Sequence, residues 1–162
     1  MSEFDLRRRD GLAGFLGMQT AALSVLTGFE SSQDCRRVMD DILARAKSDL
    51  RVLGVRPNHM TCDALRAPHP LALDYVIAGS RLGTQVLKRR WTAATDPLTQ
   101  RASAYFSAPT YIEFWRGFCQ QTETIPGTDP VAKVVLKDAD RIFKFYNACA
   151  KSARKSLGVL HV

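Results

Sequence analysis

Between Leu71 and Trp91 the chain places apolar residues at steps of three and four: Leu73, Val76, Ile77, Leu82, Val86, Leu87 and Trp91. That period belongs to an α-helix, one of about six turns. Two glycines interrupt it, Gly79 and Gly83, one turn apart on one face and in a row with Tyr75 and Leu87. Each costs about 1 kcal/mol relative to alanine in a helix interior. Such a cost in the apolar centre of a helix implies a gain from the missing side chains. A second helix crosses closely there, the helix bends, or a flat ligand lies against the bared backbone.

The rest of the chain has the same period. Leu12, Phe15, Leu16, Ala22, Leu23, Val25 and Leu26 predict a helix over 6–27, capped by Ser2 or Asp5 and stopped by Gly28. Glycines at 11, 14 and 17 weaken it and permit close packing. Ser31-Ser32 starts a second helix over 32–53, with Val38, Met39, Ile42, Leu43, Ala46 and Leu50 on one side; Gly54 and Pro57 end it. A loop with a possible helical turn at 61–65 leads to Pro70, a suitable first residue for the helix over 70–91. A loop holding Asp96-Pro97 and a short helical piece over 101–106 follow. Pro109 opens a helix over 110–123, rich in aromatic residues. Asp129-Pro130 starts the last, over 130–157, whose buried face is predicted as Val131, Val134, Val135, Ala139, Ile142, Phe143, Tyr146, Ala150 and Ala153. No segment alternates as a strand does and no repeat is evident. The expectation is one all-α domain over 1–162 with five main helices.

A chain of 162 residues can bury a full core without metals or disulfides. The net charge of +7 favours anionic partners in encounter. The basic runs at 7–9, 36–37 and 88–90 lack interleaved aromatic residues, so they read as solvated helix faces and no nucleic-acid partner is expected. The four cysteines, Cys35, Cys62, Cys119 and Cys149, are scattered. With no secretory leader in view, disulfides are not expected and a cytoplasmic location is. No apolar run approaches the ~20 residues of a membrane span. Nucleophile elbows, phosphate loops and paired zinc histidines are missing.

Tyr75-Val-Ile-Ala-Gly-Ser-Arg-Leu-Gly83 resembles the distal-helix motif of bacterial heme oxygenases of the biliverdin-forming type, where the pattern is close to YVLEGSxLGG. Phe15-Leu16 with Gln19 and Ala21-Ala22 is similar to the FL-xx-Q-xxA helix of that family. Residues 47–54 are similar to its DLxxLG helix end, and Ala139-Asp-Arg-Ile-Phe143 to the AxxxF of its last helix. These segments fall in order along nearly the whole chain. The resemblance implies a heme-oxygenase-like helical bundle. It also implies that, where heme binds, Gly79, Ser80 and Gly83 lie over the ring, while Arg141, with Lys88, Arg89 and Arg90, meets the propionates.

The departures are as informative. Family members begin with a helix whose histidine binds the iron from the proximal side. Here Met1 falls just before what resembles the second helix, and no histidine precedes His59. Ala78 stands at the family's glutamate and Thr84 at a further glycine. Heme oxygenation needs the iron held at one axial position while oxygen binds at the other. His59, near Cys62, makes a pair too sparse for a metal site; His69 and His161 read as capping or solvated. No catalytic residue and no metal ligand is therefore assigned. The expectation is a degenerate, N-terminally shortened heme oxygenase without heme-degrading activity or a required cofactor. It acts through protein–protein interaction in sensing or regulation, as a homodimer or with a protein partner on the apolar surface that the missing helix exposes. The alternative is a heme-binding protein, or an active heme oxygenase with a start placed too late, yielding biliverdin, carbon monoxide and iron.

Overall fold

Helix starts are written in the sequence as side chains that accept the orphan N–H groups of a first turn. Ser32 Oγ accepts from the Cys35 N–H at 3.1 Å, His69 Nδ1 from Leu71 at 3.2 Å, Asp96 Oδ2 from Thr99 at 2.7 Å, and Asp129 Oδ1 from Val131 at 2.8 Å. Three of these precede a proline, Pro70, Pro97 or Pro130, whose missing N–H would be unpaired in any case. In the computed structural model, which describes residues 4–56 and 64–158 (side chains as far as residue 155), six helices follow in order. They are α1 Arg9–Leu26, α2 Gln33–Val52, α3 Pro70–Trp91, α4 Pro97–Arg101, α5 Ile112–Thr122 and α6 Pro130–Gly158. Strands are absent among the described residues. The protein is an all-α bundle.

Gly54 ends α2 at φ +70°, with its N–H on the Arg51 carbonyl and the Val55 N–H on the Leu50 carbonyl. This paired closure needs the left-handed conformation that glycine adopts at no steric cost. Gly11 answers a different need. A Cβ there would lie 2.1 Å from the Asp5 carbonyl oxygen, so the entering chain passes directly over it.

α1 packs on α2 and α6, and α3 on α6, α5 and α2. Leu12, Leu16, Leu23, Val38, Met39 and Ile142 are wholly enclosed, each burial stabilising by roughly 1.5–3 kcal/mol. Buried carboxylates tie loops to this core. Asp49 accepts from the N–H groups of Ala104 and Tyr105 at 2.9 and 2.8 Å. Asp74 accepts from Ser32 at 3.1 Å, and Asp138 from His69 at 2.8 Å.

Several expectations shift. Arg8 precedes α1 without a side-chain cap. Asp5 binds Arg7 instead, and Ser2 lies outside the described residues. Asp96-Pro97 begins α4 rather than a loop, because Asp96 holds both the N–H and the hydroxyl of Thr99. The turn expected at 61–65 falls mostly outside the described residues. On α6 the inward row is Ala139, Ile142, Phe145, Cys149 and Ala153, whereas Val131, Val134 and Phe143 are exposed. A stripe wide enough for both rows gave the face its ambiguity. Cys35 and Cys119 are free, but Cys149 is disulfide-bonded, its partner lying outside the described residues. That bridge corrects the expectation of four free thiols and removes the support they gave to a reducing compartment.

Candidate functional site

The two glycines of α3 have different neighbours. A Cβ on Gly79 would stand 3.5 Å from Cζ3 of Trp115, on α5. Around it Tyr75, Trp115 and Phe118 form an aromatic cluster with ring centroids 5.8 to 6.2 Å apart. Gly79 therefore lies at the crossing of α3 and α5, where a methyl group would make ordinary contact. Gly83 has nothing within 4 Å of the same construction and opens onto a cavity of about 510 Å³ between α1, α3 and α6.

Val76, Ser80, Gly83, Thr84 and Leu87 form the α3 wall of this cavity, and Phe15 and Met18 the α1 wall. Tyr146 comes from α6 and Tyr105 from the segment after α4, which the Asp49 carboxylate fixes in place. Val86, Arg90 and Phe143 line it too and are themselves exposed, so they form its outer edge. The hydroxyl of Ser80 donates to the Ile77 carbonyl at 2.9 Å and that of Thr84 to the Ser80 carbonyl at 3.1 Å. Both spend their donors on their own helix, and the α3 wall offers mainly apolar surface.

Behind the wall lies a buried cation. Arg81 is 2% exposed. Its Nη1 donates to the Tyr105 hydroxyl at 3.1 Å, and its Nε is buried without a partner. The guanidinium carbon lies 5.1 Å from the Tyr105 ring centre and 5.9 Å from that of Tyr111. Tyr111 adopts the left-handed conformation, φ 54° and ψ 37°, at the head of α5, a strained place for an aromatic residue. From there its hydroxyl donates to Asp41 Oδ2, which also holds Arg45 Nε at 2.8 Å. Burial, then the bond to Asp41, pushes the Tyr111 phenol up to about 12. Burial also raises Asp41, but Tyr111 and Arg45 outweigh it and hold that carboxyl below its ordinary value. Burial raises the Tyr105 phenol against the pull of Arg81, and raises that of Tyr146. Both phenols of the cavity wall are therefore protonated near neutral pH.

Of the residues singled out by motif, Ser80 and Gly83 reach the cavity and Gly79 does not. Arg141 is absent from its wall. Its guanidinium pairs with Asp138 at 2.6 Å and donates to the Arg66 carbonyl at 3.1 Å, joining α6 to the segment before α3. Within the run at 88–90, Arg90 alone lines the cavity. His69 caps α3, 14 residues before Gly83 and so about 21 Å away along the helix. His59 and His161 lie outside the described residues. Arg81, Tyr105 and Tyr146 were not picked out from the sequence, although one signal existed. Asp74, Ile77, Arg81 and Thr84 share a row at helical spacing, and all four are buried.

No family, no characterised protein and no solved structure matches this chain. Among the described residues no cluster of three or more metal-ligating side chains occurs, and no helix is long and apolar enough to cross a membrane.

Proposed function

We propose that this chain is a degenerate heme-oxygenase-like protein without heme-degrading activity, and that it acts in sensing or regulation through a protein partner or a second copy of itself. The observation that carries this reading is the chemistry of the wall facing Gly83. A heme oxygenase holds its iron on a neutral imidazole. Among the described lining residues none carries an imidazole; the oxygen and sulfur donors are the Met18 thioether, the amides of Gln19 and Asn147, the hydroxyls of Ser80 and Thr84, and the phenols of Tyr105 and Tyr146. Iron takes a tyrosine as phenolate, and burial raises both phenols against losing that proton. These residues do not fit a histidine-held heme, and no oxygenation step follows from them. A second support is the exposed apolar edge of the cavity, Val86 and Phe143, with Leu82 exposed on the same helix as Val86; apolar groups gathered around a cavity mark a surface that meets a partner.

The test is titration with hemin followed by a reductant under air. The expected result is neither a saturable one-to-one Soret band of ligated heme nor biliverdin. Biliverdin formation overturns the reading.

A further inference from the structure

Arg81 has five N–H donors; its Nη1 donates to the Tyr105 hydroxyl, and its Nε is buried without a partner. The neighbouring carboxylates are committed elsewhere. Asp41 is held by Tyr111 and Arg45, Asp49 by the backbone of Ala104 and Tyr105, and Asp74 by Ser32. Asp41 acts on Arg81 only through space, with no hydrogen bond between them, and a buried cation without a carboxylate in direct contact is costly. Tyr105 lines the cavity, and since its oxygen accepts from Arg81, its hydroxyl hydrogen is left to donate. No described residue accepts it. The guanidinium polarises that O–H and strengthens it as a donor. Beside it on the cavity wall, the Tyr146 hydroxyl also has no hydrogen-bond partner among the described residues. The inner end thus presents two phenolic donors backed by a positive charge; Phe15, Met18, Val76 and Leu87 supply the apolar wall, and Arg90 stands at the outer edge.

We propose that Tyr105, backed by Arg81 and flanked by Tyr146, is an inner anchor for the carboxylate of a ligand whose apolar body fills the cavity beside Gly83, Phe15 and Met18. This rests on the functional reading above and adds to it the ligand class, a monocarboxylate amphiphile, and its orientation, acid end inward. A carboxylate has two acceptor oxygens for two donors and sets a negative charge against Arg81 on the side away from Asp41; an ester or alcohol supplies no charge.

The experiment is calorimetric titration of the full chain with dodecanoate and with methyl dodecanoate. Dodecanoate should bind one-to-one, at least tenfold more tightly than the ester. Tyr105→Phe should weaken the acid by about ten- to a hundredfold, the scale of a hydrogen bond to a charged group, and leave the ester unchanged. The ring meets both Phe15 and Phe106 edge-to-face at 5.4 Å, so the variant keeps its packing. Should it fail to fold, Tyr146→Phe must narrow the acid-to-ester ratio in the same direction. Arg90→Ala should change little. Equal affinity for acid and ester, no binding of dodecanoate, or discrimination lost with Arg90 and kept without the Tyr105 hydroxyl would each overturn the anchor. Equal affinity overturns it while leaving a binding protein; biliverdin from hemin overturns the functional reading while leaving the anchor.

Discussion

Arg81 Nη1 and the Tyr105 hydroxyl meet at 3.1 Å in a place where each residue is 2% exposed. Two opposing terms decide what this cation does for stability. Its positions near the Tyr105 and Tyr111 rings are worth about 0.5–2 kcal/mol each. Removing it from water with Asp41 acting only through space and no carboxylate in direct contact costs several kcal/mol. The second term is the larger, so Arg81→Met, similar in length and apolar, should leave the denaturation midpoint unchanged or raise it. A loss of about 3 kcal/mol or more in urea unfolding, the scale of a broken buried ion pair, would show instead that the fold depends on the charge.

The glycines separate by what a methyl group would meet. Gly83→Ala enters open space and should stabilise by about 1 kcal/mol from helix propensity. Gly79→Ala makes an ordinary contact at 3.5 Å with Trp115 and should gain a similar amount. Gly79→Leu must displace Trp115 and should lower the melting temperature. Gly11→Ala faces a backbone oxygen at 2.1 Å and should lose roughly 1–3 kcal/mol, the cost of overpacking. Equal effects at positions 11 and 83, read by urea titration, would remove the distinction.

Helix existence was legible because caps and periods act locally. The span of α3 agrees with expectation at both ends, Pro70 and Trp91, and Ser32 and Asp129 act where local chemistry places them. The functional face was less legible. Gly79 and Gly83 look alike in sequence, and their difference arises from α5, which packs over one and not the other. Arg81 was not singled out, because its partner Tyr105 lies 24 residues away. Arg141 was expected at the propionates, and Asp138 and the Arg66 carbonyl hold it instead. Which side of α6 faces inward was likewise fixed by partners distant in sequence.

Two buried aspartates should give opposite responses to pH. Burial raises Asp49 above 3.8 more than its two backbone N–H bonds lower it. Its folded form therefore binds the proton more tightly than the unfolded chain, and stability falls as pH rises from 3.8 through the raised folded value. Burial also raises Asp138, but the His69 N–H and Arg141 outweigh it and hold it below 3.8. Its contribution is present above 3.8 and is lost as pH falls through the depressed value. Asp49→Asn should therefore become less unfavourable, relative to wild type, as pH is raised above 4, while the deficit of Asp138→Asn should shrink only below it. Denaturant titrations at several pH values check both; a difference from wild type that is constant with pH removes the assignment.

Phe143 and Val86 bear on the proposed partner. Both line the cavity, yet they are 45% and 55% exposed, and Phe143 was expected to face inward. A side chain this exposed supports the isolated fold weakly, so Phe143→Asp should change monomer stability by about 0.5 kcal/mol or less. If a second copy covers this edge, association adds to stability by mass action, and the wild-type melting temperature rises with protein concentration. The substitution places a charge in that contact and should abolish the rise, with sedimentation equilibrium showing a shift to monomer. A wild-type melting temperature independent of concentration excludes the second copy and leaves a different protein as the partner. A loss of several kcal/mol in the monomer shows instead that Phe143 belongs to the core, and that the edge of the cavity is closed from within.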